Sequence, residues 1–358
     1  MAAGCAKTEV VTSGPEGAQK GINFAAYASR TTKAAQVDVS NTNFTSFEVT
    51  AIGNGAVYFD NVTFTKGATV WESSPLYFWP AYSLDFCAYN TPESNPECTF
   101  TRTINDGTRT LYVKPAEDLA KQEDLVAAYA PNEIDPSGPT DLNFKHYLTQ
   151  VVVKALSNNA NYEVAVAGVK LANLAGDGTY TFSSQTMEAT AANKNSDTSS
   201  DYDEEFTAKT LNTTAQEVMK SDAEGGRWYL IPQDVTSWNP STDMENALNG
   251  TYLALKVKIT TNGFRVYPRT GEDYAWMAVE IPAELAFAQG KKYNVTVRFF
   301  GADGKGGAGY VDPEKPGDLD GDSDSDDDKG QKILGGAITF NASVDEWDSN
   351  TVNVTIDL

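Results

Sequence analysis

Histidine is almost missing from this chain: of its 358 residues one, His146, is a histidine. A Ser-His-Asp or Cys-His catalytic group would have to use it, and no Gly-x-Ser-x-Gly turn stands in the sequence to present a nucleophile. A histidine-rich metal site needs several such ligands, which a single residue does not provide. His146 is therefore read as a structural residue at the start of a strand. Positive charge is also scarce, with 27 Lys and Arg against 49 Asp and Glu and a net charge of −22. Such a surface repels phosphates and anionic headgroups, which excludes nucleic acid and a bare bilayer as partners. No apolar run reaches 18 residues, so the sequence as given holds no membrane-spanning helix. Neither GxxxxGK[ST] nor a GxGxxG following a strand occurs, and GADGKGGAG at 301–309 lies in an acidic insertion without the strand-to-helix setting a phosphate loop needs. No pair of carboxylates stands out for glycoside hydrolysis. The reading is of a protein that is not an enzyme and has no cofactor.

Cysteine is sparse, at Cys5, Cys87 and Cys98. Three thiols cannot all pair within one chain. Cys87 and Cys98 are a candidate disulfide that would close a hairpin, or equally buried thiols. Cys5 follows the small residues Ala2, Ala3 and Gly4, and MAAGC resembles the end of a bacterial lipoprotein signal, which implies lipid attachment at Cys5 and contact with a membrane only through that anchor. Residues 1–20 then read as a leader remnant and flexible tether.

Alternation of period two is what the chain has in quantity. It runs through Ile22, Phe24 and Ala26, through Phe47, Val49 and Ala51, and through Leu84, Phe86 and Ala88. It returns in Leu253, Leu255, Val257 and Ile259, in Tyr293, Val295, Val297 and Phe299, and in Val352, Val354, Ile356 and Leu358. Each run predicts a strand with one buried face. Turn dipeptides such as Asn54-Gly55 and Asn262-Gly263 separate them. One short helix is expected within 115–130 (PAEDLAKQEDLVAAYA). The fold class is mainly β, read as two consecutive β-sandwich domains of transthyretin-like or Greek-key type with long polar insertions. Their expected spans are 21–158 and 159–358, with polar insertions at 131–141, 189–205, 233–249 and an acidic one at 301–336.

Within that acidic insertion, residues 318–328 hold seven aspartates. Asp318, Asp320 and Asp322 take positions 1, 3 and 5 of a calcium loop, but Ser323 stands where glycine is needed and Lys329 where a bidentate Glu is needed. They form a weak calcium candidate beside the plainer reading of a solvated loop.

Several stretches, in one order along the chain, resemble the fimbrillin family of pilus subunits and related surface lipoproteins of Bacteroidales-type bacteria. They are AAGC, RTTKAA (30–35), AVYFDNVTFTK, LYFWPAYSLDFCAY (76–89), QEDLVAAYA (122–130), LNFKHYLTQVVVKA (142–155), RWYLIPQ (227–233), FAQGKKYNVTVRFFG (287–301) and ITFNASVDEW (338–347). The resemblance implies two β-sandwich domains, export to the cell surface as an outer-membrane lipoprotein or assembled pilus, and adhesion. It further implies cleavage after an arginine, here Arg30 before Thr31, which would release a removable first strand carrying Ile22, Phe24 and Ala26. A neighbour's strand would then fill the groove, and the donor candidate is the C-terminal run Val352, Val354, Ile356 and Leu358. Partners would be other pilus subunits, self or related, with a host protein or glycan as receptor. The alternative is a monomeric surface lipoprotein that binds glycan or host protein through its insertions and aromatics such as Trp238 and Trp276.

Overall fold

The computed structural model describes residues 20–28, 44–90, 98–105, 107–116, 121–190, 199–220, 226–242, 244, 250–282, 285–335 and 339–346. In chain order the strands of the first half are β1 (Phe24–Ala28), β2 (Ser46–Gly53), β3 (Ala56–Lys66), β4 (Trp71–Ser73), β5 (Leu84–Tyr89), β6 (Thr99–Ile104), β7 (Arg109–Lys114), β8 (Val126–Glu133) and β9 (Thr140–His146). Next come β10 (Thr149–Ser157), β11 (Glu163–Ala175), β12 (Gly178–Thr181), β13 (Thr186–Ala189), β14 (Ser199–Thr210), β15 (Gln216–Glu217), β16 (Trp228–Leu230) and β17 (Gln233–Asp234). The remainder are β18 (Tyr252–Thr261), β19 (Phe264–Tyr267), β20 (Ala275–Glu280), β21 (Ala286–Phe287), β22 (Lys291–Phe299), β23 (Tyr310–Val311) and β24 (Thr339–Glu346). Among the described residues there is no α-helix.

The first half closes on itself as a barrel in the order β1-β4-β3-β2-β5-β8-β9. Alternation explains the closure: Phe86 and Ala88 of β5, and Val126 and Ala128 of β8, point into the barrel. Their neighbours Cys87, Tyr89 and Ala127 point outward into a second core with Tyr147, Tyr180, Phe182 and Tyr229. Both faces of these strands are thus buried, which is why they read as near-continuous apolar runs. The sheet β13-β12-β7-β6 carries Leu111, Val113 and Tyr180 into that second core.

The second half is a sandwich. One layer is β15-β10-β22-β24, with β16 also paired to β10, and the other is β14-β11-β18-β20-β23, with β19 also paired to β18. Its core interleaves Val151, Val153, Leu253, Leu255, Val257, Met277, Val295 and Val297. The tight turns fall where the sequence places them, with Asn54 and Gly55 at φ 51° and 77°, and Asn262 and Gly263 at φ 48° and 79°. Two successive residues at positive φ suit the right-handed twist of the flanking strands. In β11 the inward phase slips from Val166 to Val169 because a bulge falls between Val166 and Gly168, at Ala167. A Cβ at Gly168 would stand 2.9 Å from the Glu204 carbonyl, so the close approach of β14 requires glycine there.

Two expectations are corrected. Where a helix was expected within 115–130, residues from Val126 onward form β8, because pairing with β5 and β9 outweighs the local helical preference of its alanines. The polar stretch 189–205 runs into β14, which is half of a long ladder with β11. Among the described residues β10, which precedes the 158/159 division, pairs with β15, β16 and β22, all of which follow it. Its apolar run opens the second core rather than closing the first. Of the two readings left open for Cys87 and Cys98, the structure has both as buried thiols. Cys87 lies in the second core, where burial pushes its pKa up to about 12, and the Cys98 thiol donates to the Lys121 carbonyl at 3.2 Å. In the absence of reductant, both are expected to resist iodoacetamide in the folded protein and to alkylate fully in denaturant; a mass unchanged by alkylation until reductant is added would contradict this.

Candidate functional site

The barrel is completed by the five-residue strand β1. β1 runs parallel to β9 over five residue pairs, from Phe24 opposite Thr140 to Ala28 opposite Phe144. On its other side it meets β4 antiparallel through one pair, Phe24 opposite Trp71. Just before it, the Ile22 N–H donates to the Tyr77 carbonyl at 2.7 Å, and the Trp79 N–H donates to the Lys20 carbonyl at 3.2 Å. The Thr140 N–H donates to the Asn23 carbonyl at 3.0 Å. Without β1, the edges of β4 and β9 would face each other across a gap with these groups unsatisfied.

Side chains explain why the gap is filled. Phe24 is 0 % exposed, with its ring centroid 4.7 Å from Phe64, 5.0 Å from Phe86 and 6.1 Å from Phe47. All three contacts are edge-on, the arrangement in which aromatic quadrupoles attract. Ile22 is buried beside this aromatic set, and Ala26 is partly buried against it. At about 1.5–3 kcal/mol for each fully buried large side chain, the two anchors are what hold a strand this short. Lys20 adds a bond from Nζ to the Gly138 carbonyl at 3.1 Å and faces Asp135 at 3.8 Å on the surface. An arrangement of two alternate pockets between open edges accepts an extended peptide by main-chain pairing and reads its side chains at every second position.

Ile22, Phe24 and Ala26 are therefore together in one seat. Cys5, Arg30, Thr31, Val352, Val354, Ile356 and Leu358 lie outside the described residues. β24, the last described strand, pairs with β22 through eight residue pairs from Lys291 opposite Glu346 to Arg298 opposite Thr339.

The acidic insertion gathers a different trio from the one its spacing suggests. Carboxylate oxygens of Asp318, Asp320 and Asp328 lie within 4.8 Å of one another. Asp322 instead caps its own turn, accepting the Asp324 N–H at 2.8 Å. Gly321, at φ 97°, turns the chain early, and Asp328 returns to accept the Leu319 N–H at 2.6 Å. Asp318 accepts from the Gly321 N–H at 2.7 Å and from the Thr270 hydroxyl. Burial works against the Asp318 charge, and these bonds more than offset it, so its pKa is lowered. The carboxylates thus serve the loop's own turns.

Trp238 and Trp276, expected as exposed recognition aromatics, are 0 % and 6 % exposed. They belong to a small core with Tyr252 and Tyr310 on the outer face of the second sandwich sheet. A cleft of about 630 Å³ opens beside Trp276, between Glu205, Lys256, Thr270, Tyr274 and Lys315. His146 ends β9 rather than starting a strand, with Nδ1 2.6 Å from Asp124 Oδ2 and both side chains fully buried.

Comparison with known proteins places this geometry. Residues 20–307 match the fimbrillin-like family. A fimbrial protein from Bacteroides vulgatus superposes with a TM-score of 0.53 at 17% identity, covering 78% of this chain and 94% of that one. A protein from Parabacteroides distasonis, provisionally described as a cell adhesion protein, does so with a TM-score of 0.51 at 10% identity, covering 94% and 99%. At such identities the likeness is one of fold. No curated protein sequence matches the chain.

Proposed function

Because this chain belongs to the fimbrillin-like family, we propose that it is a pilus subunit of the cell surface that polymerises by exchanging its first strand. The observation that carries the reading is the seat of β1, a short segment held by Ile22 and Phe24 between two strand edges that would otherwise be open. In this reading the chain arrives as a lipoprotein anchored at Cys5, and a protease cuts between Arg30 and Thr31. β1 then leaves, exposing the aromatic pocket and the edges of β4 and β9. The C-terminal run of a neighbouring subunit enters, with Val352, Val354, Ile356 and Leu358 as its alternating anchors. Contact is head-to-tail and does not close, so it propagates as a filament. Host protein or glycan would be met by the assembled surface rather than by Trp238 or Trp276, both of which are buried. Division of the chain into two consecutive domains, with the second sandwich beginning at β10, is part of the same reading.

Limited trypsin digestion of the full chain tests it. The expected product begins at Thr31 and, at high concentration, forms ladders that resist sodium dodecyl sulfate. A peptide spanning 351–358 should suppress the ladders by occupying the groove. A trimmed chain that stays monomeric at all concentrations, or ladders indifferent to the peptide, would overturn the exchange.

A further inference from the structure

Lys170 lies on β11 with its side chain fully buried, an unusual place for an ammonium group. It stretches across the outer face of the sheet, where its cross-strand neighbour Ala254 and the next residue in that row, Ala278, are small enough to let it pass. Its Nζ comes to rest 3.3 Å from Oδ2 of Asp312, which is also fully buried and follows β23. Glu314 Oε2 is 2.8 Å from the same nitrogen, and the Tyr252 hydroxyl is 3.1 Å away. The rings of Tyr252 and Trp276 cover the amine at 5.1 and 5.7 Å.

The two oxygens of Asp312 are treated differently. Oδ1 accepts the backbone N–H groups of Glu314 at 2.8 Å and Lys315 at 2.9 Å, with the Tyr252 hydroxyl at 3.4 Å. Oδ2 has no hydrogen-bond donor in good geometry among the described residues and faces the amine. That is a nucleophile, a carboxyl carbon, two N–H donors aimed at the oxygen on which charge would develop, and a carboxylate positioned to carry a proton.

We propose that Lys170 and Asp312 condense into an intramolecular amide, a covalent tie between β11 and the segment that follows β23. The reaction starts from the ammonium-carboxylate pair. One proton passes from Nζ to Asp312 Oδ2, the freed amine attacks the carboxyl carbon, and negative charge collects on Oδ1 against the two backbone N–H groups. Glu314 takes a second proton from the nitrogen and delivers it to Oδ2. The new C–N bond forms, the C–Oδ2 bond breaks, and Oδ2 leaves as water carrying both protons. Nothing is oxidised or reduced, and no other reactant is needed. Two conditions drive it. Well-oriented intramolecular partners reach effective molarities of about 10⁵–10⁸ M. A neutral amide also relieves the burial of two charges that have lost their water.

The test is the mass of the purified full chain. It is expected to be lighter than its sequence mass by one water, about 18 Da, with tandem spectra showing a branched tryptic peptide that joins the Lys170 and Asp312 segments and no cleavage after Lys170. Lys170→Arg and Asp312→Ala should both return to their full sequence mass. Glu314→Gln replaces a half-exposed side chain, and in a time course after cell-free synthesis it should slow the loss of water by about 10²-fold or more. Folded wild-type chain at full mass, cleaved normally after Lys170, overturns the proposal. So does a water loss that maps to an Asp-Gly pair such as Asp177-Gly178 or Asp303-Gly304. An unchanged rate in Glu314→Gln overturns the role given to Glu314. None of these outcomes depends on the pilus reading, which trypsin and ladder formation test separately.

Discussion

Phe24→Ala is expected to lower the free energy of unfolding by about 3–5 kcal/mol, the range for emptying a phenylalanine site in a core that cannot collapse. The walls of this site are the rings of Phe47, Phe64 and Phe86, one from each of β2, β3 and β5. Those strands are fixed by their own ladders, β2 to β3 and β2 to β5, and cannot move inward to fill the hole. Dry apolar cavities of this kind accept small aromatic molecules. Saturating benzene should therefore restore part of the loss in Phe24→Ala and nothing in the wild type. Chemical denaturation with and without benzene measures both. A loss below about 1 kcal/mol would mean that β1 is not anchored through this ring. The same variant bears on exchange: a first strand without its anchor should leave its seat more readily, so ladders should form at lower concentrations of the trimmed subunit.

Asp124→Ala should cost a similar amount, about 3–5 kcal/mol, for a different reason. Asp124 and His146 are a fully buried pair at 2.6 Å where β8 and β9 meet the second core. Removing the carboxylate leaves the imidazole in a dry interior with its best partner gone. Replacing both residues together, as in Asp124→Leu with His146→Phe, should cost far less than the sum of the single changes, because neither polar group is then stranded. A double-mutant cycle by denaturation reads the coupling directly. Additive single effects would show that the pair contributes only its packing. The same region holds Asn90, whose side chain donates to the Asp124 carbonyl at 2.8 Å and accepts the Val126 N–H at 2.7 Å, so the loop before β8 is pinned at several points.

Much of this was legible because a strand with one or two buried faces writes its period into the sequence. The alternations at Phe47, Leu84, Leu253 and Tyr293 became β2, β5, β18 and β22, and Asn54-Gly55 and Asn262-Gly263 became turns at positive φ. What could not be read was decided by partners distant in sequence. Val126 to Ala130 has the alanines of a helix and becomes a strand because β5 waits 40 residues upstream with a matching face. β14 is polar because one of its faces is solvated, and it is recognised as a strand only through β11. Membership of β10 in the second sandwich depends on a parallel pairing with β22, whose register joins Gln150 to Lys292. Of the site, Ile22 and Phe24 stand out in the sequence, whereas the pockets they fill do not. Lys170, Asp312 and Glu314 left no local signature at all, since their meeting is made by the width of a sheet.

β1 is parallel to β9 and antiparallel to β4. Parallel and antiparallel ladders place their N–H and C=O groups differently, so a strand entering in the reverse sense would have to exchange the two patterns, antiparallel to β9 and parallel to β4. Under the exchange proposed above, each subunit would lend a strand to one neighbour and receive one from another, and a row joined in this way would have unlike ends, one with a vacant seat and one with an unspent strand.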